Sequence, residues 1–156
     1  MNTRIHFEPA KIDVLLQIAI EEDIFSGDIT TGSLIPDNLM VEGVFTAKES
    51  GTIAGLPVVA CFFSKLDKNI FFKEWVKEGA LVHKGETIAI IHGSAKVLLS
   101  GERIALNVLQ RLSGIATLTA RFVECIKPLK TSLLDTRKTI PGWRYLEKYA
   151  VGVGGG

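Results

Sequence analysis

The sequence predicts an α+β fold, in which an N-terminal unit of short strands and helices is followed by the first strand and helix of an α/β unit. Three observations predict it. Apolar residues recur at helical spacing near the N-terminus, short glycine-punctuated apolar runs fill the middle, and a long helical pattern precedes a run of strand length. The organisation changes near residue 106, so we assign residues 1–106 to a first domain and residues 107–156 to an unfinished second one.

The composition fits a globular domain and limits its partners. The chain has 156 residues, of which 47% are hydrophobic, enough to bury one sizeable core. With 18 Lys plus Arg against 17 Asp plus Glu, no long-range field gathers nucleic acid or anionic membrane. We therefore expect neither as a partner, and any anion site must be local.

Two features indicate a cytoplasmic protein. Cys61 and Cys125 lie far apart and lack the CxxC spacing of a redox or zinc pair, which favours two reduced thiols. The N-terminal residues contain no apolar signal-peptide core, and no apolar run reaches the roughly 18 to 20 residues of a membrane span. We expect neither export nor membrane insertion.

The first domain is predicted to combine helices with short strands. Apolar residues at three- and four-residue intervals predict an amphipathic helix over Lys11–Asp23, and the Gly-, Asp- and Thr-rich segment 24–36 predicts an ordered loop. Alternating apolar residues predict strands within Val41–Ala54, and Leu56–Leu66, which has a proline in its first turn, predicts a short buried helix. Two further strands are predicted at Phe71–Val76 and Glu86–His92.

A long helix is predicted to begin at Ser100, which we place as its N-cap, and to end before Pro128. Glu102 then lies in the first turn, toward the positive end of the helix dipole. The apolar run TSLLD (131–135) has strand length and ends in a dense polar cluster. A further helix is predicted over 141–150.

The polar cluster Asp135-Thr136-Arg137-Lys138-Thr139 is the strongest candidate for a binding site. Ligands bind at the carboxyl ends of strands in α/β sheets and barrels. An Arg offers a planar fork to a carboxylate and a Lys offers a compact charge, so the neighbouring pair suits a dianionic ligand. On composition alone, an ordinary charged loop explains the cluster equally well.

A second candidate lies on the long helix, where Glu102 and Arg103 precede Asn107 and the small-residue run 113–117. A glycine in mid-helix costs about 1 kcal/mol relative to alanine, so Gly114 indicates the close approach of a backbone or a ligand. Taken alone, the run favours tight helix packing.

The segment VKEGALVHKGETIAIIHG (76–93) resembles the repeated hairpins of biotinyl and lipoyl carrier domains. Those carriers present a modified lysine at an exposed hairpin tip between hydrophobic neighbours, a setting that neither Lys77 nor Lys84 has. We interpret the likeness as shared strand geometry. A noncatalytic binding or carrier module stays open as the alternative function.

The segments LLSGERIALNVLQRLSGIATLT and LLDTRKTIPGWRYLEKYAVGVGGG resemble the most diagnostic stretches of the quinolinate phosphoribosyltransferase family. Upstream, EEDIFSGDITTGSLIP and GTIAGLP are also similar, so the resemblance covers the chain from about Ile12 to Gly156. It implies an N-terminal α/β sandwich followed by an incomplete α/β barrel, assembled as a homodimer with active sites at the subunit interface.

The activity implied by the resemblance is transfer of a phosphoribosyl group from phosphoribosyl pyrophosphate to quinolinate, with Mg²⁺. The products are nicotinate mononucleotide, pyrophosphate and carbon dioxide, in a step of NAD biosynthesis. The resemblance also implies that Arg103, Thr136, Arg137 and Lys138 bind quinolinate, which agrees with a site for a dianion.

The resemblance places the catalytic and metal-binding residues beyond Gly156. We therefore expect no catalytic or metal-binding residue in this chain, and no activity from the chain alone. Proteins with a related fold that serve molybdenum uptake or use nicotinate itself stay open as alternatives, although the DTRKT run together with the Glu102-Arg103 pair favours quinolinate.

Overall fold

The computed structural model describes residues 7–24 and 29–156. It is a mixed α/β structure in which two small sheets pack with helices, and this confirms the predicted α+β class. The helices are α1 (Asp13–Asp23), α2 (Ile29–Leu34), α3 (Leu56–Leu66), α4 (Ala95–Ile126) and α5 (Arg144–Val153), with a 3-10 turn at Pro9–Lys11 before α1. The strands are β1 (Met40–Thr46), β2 (Gly51–Thr52), β3 (Phe71–Glu74), β4 (Leu81–Val82) and β5 (Thr87–Ser94).

Strand β5 is the centre of the larger sheet, which is antiparallel with the order β1-β5-β3. Phe72 of β3 pairs with Ile91 of β5, and Ile88, Ala89 and Ile91 are buried. The smaller sheet pairs β2 with β4. The strands predicted from the alternating apolar pattern are therefore confirmed.

Helix α3 fills the centre of the core, and its bounds are those that the sequence predicts. Val58, Val59, Phe62 and Phe63 are at most 1% exposed, and their spacing places them on one helical face. This face packs against α4. The two helices approach closely at Gly101 of α4, where an added Cβ would lie 2.8 Å from Cε1 of Phe63.

Helix α4 begins earlier than predicted. It starts at Ala95, directly after β5, so Ser94 is its N-cap residue and Ser100 lies inside the helix. Ala95 and Leu98 are buried, so contact with the core extends the helix beyond the local signal that Ser100 provides. The predicted end of the helix is confirmed at Ile126.

The length of α4 bears on two other expectations. The domain boundary predicted at residue 106 lies inside this unbroken helix of 32 residues, and it stays a prediction. Neither α4 nor any other helix in the described ranges is both long enough and apolar enough to cross a membrane.

Two local predictions are corrected by the structure. Segment 24–36 was expected to be a loop but contains α2, which packs against α4; residues 25–28 lie outside the described residues. Such tertiary contact overrides the weak helix preference of Thr and Gly. The strand expected at 131–135 is not formed, because no strand within the described ranges pairs with it and a ladder needs a partner.

The predicted C-terminal helix is confirmed as α5. A turn with Gly142 at φ +83° precedes it, a conformation that suits glycine. Helix α5 packs against α4 and buries Leu146 and Tyr149. Gly154 allows its end to approach α4, since an added Cβ would lie 2.5 Å from the carbonyl oxygen of Ala116.

Candidate functional site

The four residues predicted to bind substrate lie on two elements. Arg103 lies on α4, whereas Thr136, Arg137 and Lys138 lie in the connection 127–143 between α4 and α5. The Arg103 side chain is 74% exposed, and its Nη1 donates a 2.6 Å hydrogen bond to Oδ1 of Asp23, the last residue of α1. Helix α1 therefore holds this guanidinium at the surface.

Residues 135–139, which we call the DTRKT loop, present two cations to solvent. Thr136 Oγ1 accepts a 3.1 Å hydrogen bond from the backbone N–H of Lys138, and the Thr139 N–H donates to the Arg137 carbonyl oxygen at 3.1 Å. Such local bonds shape a turn. Arg137 and Lys138 are exposed, and within the described part of the chain neither forms an ion pair. Both charges are therefore available to an anion.

The DTRKT loop is joined to α5 by an ion pair. Lys148 Nζ lies 2.8 Å from Oδ2 of Asp135, and the two side chains are 42% and 35% exposed. The neighbouring Glu147 on α5 accepts a hydrogen bond from Nη2 of Arg111 on α4. Two consecutive residues of α5 thus connect it to α4 on one side and to the loop on the other.

A small cavity of about 230 Å³ lies where α4, α5 and the loop meet. Nε of Arg111 is buried and has no hydrogen-bond partner among the described residues, and its guanidinium lies 5.6 Å from the ring centre of Trp143, within cation–π distance. Arg103, Arg137 and Lys138 do not line this cavity. The polar residues that line it are Arg111, Asp135, Thr136, Thr139, Glu147 and Lys148.

Glu78 joins α5 to the N-terminal part of the chain. Its Oε1 accepts hydrogen bonds from the Gly55 N–H at 2.6 Å and from the Tyr149 hydroxyl at 2.8 Å, and its Oε2 accepts one from the Leu56 N–H at 3.0 Å. The carboxylate therefore caps the start of α3. Burial raises the pKa of Glu78 more than these hydrogen bonds lower it, and burial together with the Glu78 charge raises the pKa of Tyr149.

Residues near the N-terminus contact the same face of α5. The Tyr145 hydroxyl accepts a 2.6 Å hydrogen bond from the Glu8 N–H. Phe7 packs edge-on against Tyr149 with 5.8 Å between ring centres. Helix α5 is therefore held by three separate parts of the chain: the N-terminal segment, the Glu78 turn and α4.

The sequence does not predict the residues that form these hydrogen bonds and ion pairs, above all Arg111, Glu78 and Lys148. Their partners are 36, 71 and 13 residues away along the chain, so no local pattern identifies them. The one local signal is the four-residue spacing of Tyr145 and Tyr149, which indicates a shared helix face but not what covers it.

The small-residue run on α4 approaches the backbone near β2 at Ser113 and Thr117, but not at Gly114. A Cβ added at Gly114 would have nothing within 4 Å, so the interpretation of tight helix packing is wrong for this residue. Close packing occurs instead at Gly101. The neighbouring hydroxyls do bond across to the chain near β2, since Ser113 and Thr117 accept hydrogen bonds from the N–H groups of Ala54 and Thr52 at 3.0 and 2.8 Å.

An apolar groove runs along α4 and β1. It has a volume of about 610 Å³ and includes Glu102 and Leu106 of α4. Two of its apolar side chains, Val44 and Leu99, are 53% and 46% exposed. Arg103 follows Glu102 in the sequence but does not line this groove, and it is hydrogen-bonded to Asp23 of α1 instead.

No cluster of three or more His, Cys, Asp or Glu side chains, the groups that bind divalent metals, occurs among residues 7–24 and 29–156. The His83 ring lies close to Ser50, with 3.5 Å between Nδ1 and Oγ.

Two family models match the chain. The quinolinate phosphoribosyl transferase N-terminal domain matches residues 28–113, and the C-terminal domain of the same family matches residues 115–156. The chain belongs to the quinolinate phosphoribosyltransferase family. In this family member, Arg103 lies in the N-terminal match and the DTRKT loop lies in the C-terminal match, while α4 crosses from one to the other.

Similar proteins of this family are longer than the chain. A probable nicotinate-nucleotide pyrophosphorylase (carboxylating) from Bacillus subtilis is 48% identical over 135 residues, 86% of this chain and 46% of that protein. A quinolinate phosphoribosyltransferase (decarboxylating) from Nicotiana tabacum is 38% identical over 91% of this chain and 40% of its own length. NadC from Streptococcus pyogenes, a crystal structure, matches with a TM-score of 0.93 at 40% identity, over 97% of this chain and 54% of that one.

The chain therefore spans about half the length of the curated relatives it matches. The segment that resembles carrier hairpins forms no hairpin of its own, since β4 pairs with β2 while β5 pairs with β1 and β3. Lys77 precedes a turn and Lys84 lies in one, and the family match covers both residues.

Proposed function

We propose that this chain supplies the quinolinate-binding half of a quinolinate phosphoribosyltransferase. The reaction joins quinolinate to the ribose of phosphoribosyl pyrophosphate and releases pyrophosphate and carbon dioxide, leaving nicotinate mononucleotide. The main observation is the DTRKT loop, in which Arg137 and Lys138 are exposed neighbours without an ion pair in the described ranges. The activities for which the Bacillus subtilis and tobacco relatives are named support the proposal.

The charge of the loop suits the proposed substrate. Quinolinate has two adjacent ring carboxylates, which are both ionised at neutral pH. The guanidinium of Arg137 can bind one carboxylate through two parallel hydrogen bonds, and Lys138 adds a compact charge for the other. Thr136 is exposed in the same turn and supplies a hydroxyl. Hydrogen bonds to charged groups contribute roughly 1.5 to 3 kcal/mol each.

The role of these residues in the reaction is positioning. As the pyrophosphate leaves, positive charge develops on the ribose carbon, and the pyridine nitrogen must be aimed at that carbon. Two carboxylates held by Arg137, Lys138 and Arg103 fix the rotation of the ring, and so direct its nitrogen. Decarboxylation follows once the ring is a cationic nucleotide, because the positive nitrogen stabilises the electron pair left on the ring.

We include Mg²⁺ in the proposal, bound by residues outside this chain. No cluster of three or more His, Cys, Asp or Glu side chains is found among the described residues. Binding of quinolinate by Arg103, Thr136, Arg137 and Lys138 does not require the metal.

We also propose that the protein is a homodimer in which Arg103 reaches the neighbouring subunit's site. The exposed guanidinium of Arg103 and the exposed apolar side chains Val44 and Leu99 of the groove along α4 and β1 support this assembly, because exposed apolar patches often mark protein interfaces. Sedimentation velocity that finds monomers alone at every concentration would contradict it.

A cytoplasmic location is the remaining part of the proposal. Cys61 and Cys125 are both free thiols, and a reducing compartment keeps thiols in that state. Cell fractionation with an antibody to the chain tests the location, and recovery from the periplasm or the medium would contradict it.

Isothermal titration calorimetry of the chain with quinolinate tests the substrate class. We expect quinolinate to bind, and nicotinate, which lacks one carboxylate, to bind at least about 10-fold more weakly. Arg137→Ala should weaken quinolinate binding by about 10- to 100-fold. The control is Lys130→Ala, which removes an exposed cation from the same connection and should leave binding unchanged. Equal binding of quinolinate and nicotinate, or equal effects of the two substitutions, would sink the proposal.

A further inference from the structure

We infer that Lys148 is a positioning residue for the DTRKT loop, acting through Asp135. Lys148 Nζ lies 2.8 Å from Asp135 Oδ2, and Asp135 directly precedes the three loop residues proposed to bind quinolinate. The effect on binding rests on the proposed function, whereas the effect on the order of the loop does not.

The DTRKT loop forms few other polar contacts with the rest of the chain. Within the described residues, the hydrogen bonds of Thr136, Arg137, Lys138 and Thr139 are made inside the loop itself. No strand forms at 131–135 to hold the segment in a sheet. The Lys148–Asp135 pair is therefore the polar contact, among those in the described ranges, that joins the loop to another element.

Helix α5 gives Lys148 a fixed base. The preceding residue, Glu147, has a side chain that is only 12% exposed and is bonded to Arg111 of α4. The following residue, Tyr149, is buried and bonded to Glu78. Because both neighbours of Lys148 are bonded to other elements, the backbone of Lys148 is fixed. Its ion pair therefore fixes Asp135 relative to α5.

The ion pair also affects the charge beside the proposed site. Asp135 is a carboxylate within the DTRKT loop, directly before the three residues that are to bind a dianion, and like charges at short range repel. Lys148 neutralises Asp135 in this structure. Removing the ammonium group therefore has two consequences for a dianion: a less ordered loop and an unbalanced negative charge next to it.

An exposed ion pair contributes little to global stability. The expected effects are therefore local to the loop, and they are separable from unfolding. Loops with few contacts to the rest of the fold are among the least stable parts of a structure. The local opening of such a loop can be measured by proteolysis.

Trypsin provides a direct measurement, because it cleaves after Arg137 and after Lys138. Lys148→Met should raise the rate of cleavage at these two bonds by about 10-fold while the melting temperature stays within the error of the measurement. Asp135→Asn breaks the same contact from the loop side and should act alike. The matched control is Lys65→Met, which removes the ion pair of Lys65 with Asp13 at 2.6 Å between α3 and α1, and should leave cleavage of the loop unchanged.

Calorimetry with quinolinate then shows whether Lys148 positions the loop for binding or only keeps the loop ordered. Lys148→Met should weaken binding by about 3- to 30-fold, and Asp135→Asn should weaken it less, because it also removes the repelling carboxylate. Unchanged cleavage at Arg137 and Lys138 in both variants would overturn the inference. Faster cleavage with unchanged quinolinate affinity would also overturn it. Failure of the unaltered chain to bind quinolinate would sink the proposed function instead, and proteolysis would still decide whether Lys148 holds the loop.

Discussion

At the scale of single residues, Glu78 links the stability of the fold to pH. It is half-buried at the start of α3 and accepts a hydrogen bond from the Tyr149 hydroxyl on α5. Burial raises its pKa above the ordinary 4.5, so the folded state binds this proton more tightly than the unfolded state does. The stability that this proton contributes is fully present below the unfolded pKa, and it is lost as the pH rises through the folded pKa.

We therefore expect the free energy of unfolding of the unaltered chain to fall relative to that of Glu78→Gln as the pH rises from about 4 through the raised folded pKa. The substitution removes the titrating group, so its own stability lacks this pH dependence. Urea denaturation at a series of pH values measures the difference. Glu124→Gln, at an exposed site at the end of α4, controls for the loss of one negative charge. If the unaltered chain instead becomes more stable relative to Glu78→Gln as the pH rises, the sign of the Glu78 effect is wrong.

At the scale of elements, α4 connects the two family matches, and its start is more closely packed than its middle. Near its start, Gly101 lies against Phe62 and Phe63, both 1% exposed. Gly114, which directly follows the end of the first match, faces open space. The same residue type therefore serves close packing at one site and is unconstrained at the other.

These two glycines predict opposite effects of the same substitution. Gly101→Ala should lower the free energy of unfolding by about 1 to 3 kcal/mol, because its Cβ would overpack a rigid core. Gly114→Ala should raise it by up to about 1 kcal/mol, because alanine favours the helix and meets no neighbour. Chemical denaturation of both variants measures the pair, each serving as the other's control. Destabilisation by Gly114→Ala would mean that a contact on that face of α4 exists in solution.

The elements differ in how far their sequence predicts them. Helix α3 was predicted to the residue, because its apolar spacing and its first-turn proline are both local signals. The start of α4 was missed, since burial of Ala95 and Leu98 extends the helix past the cap signal at Ser100. The strand at 131–135 was wrong because a strand depends on a partner, which local sequence does not describe.

The candidate site divides in the same way. Arg137 and Lys138 are consecutive in the sequence, and their chemistry is evident from it. The contacts that hold the loop are not, because Lys148 reaches Asp135 only after α5 has packed on α4. Whether Arg103 and the DTRKT loop act on one ligand stays a prediction.

At the scale of the whole molecule, α5 contacts several separate parts of the chain. The N-terminal segment, the Glu78 turn and α4 all contact this helix, and α5 in turn holds the DTRKT loop. The proposed binding residues are thus supported by the N-terminal part of the fold. Because the chain spans about half of its relatives, we expect it to bind quinolinate but not to transfer a phosphoribosyl group by itself.

The most direct test of the central claim is an activity measurement on the chain joined after Gly156 to the remaining residues of the Bacillus subtilis relative. We expect this polypeptide to form nicotinate mononucleotide from quinolinate and phosphoribosyl pyrophosphate, with one carbon dioxide released per product. Arg137→Ala should lower kcat/KM for quinolinate by about 10- to 100-fold, whereas Lys130→Ala should leave it unchanged. The account is contradicted if quinolinate is not turned over while the unaltered relative is active, or if Arg137→Ala retains full activity.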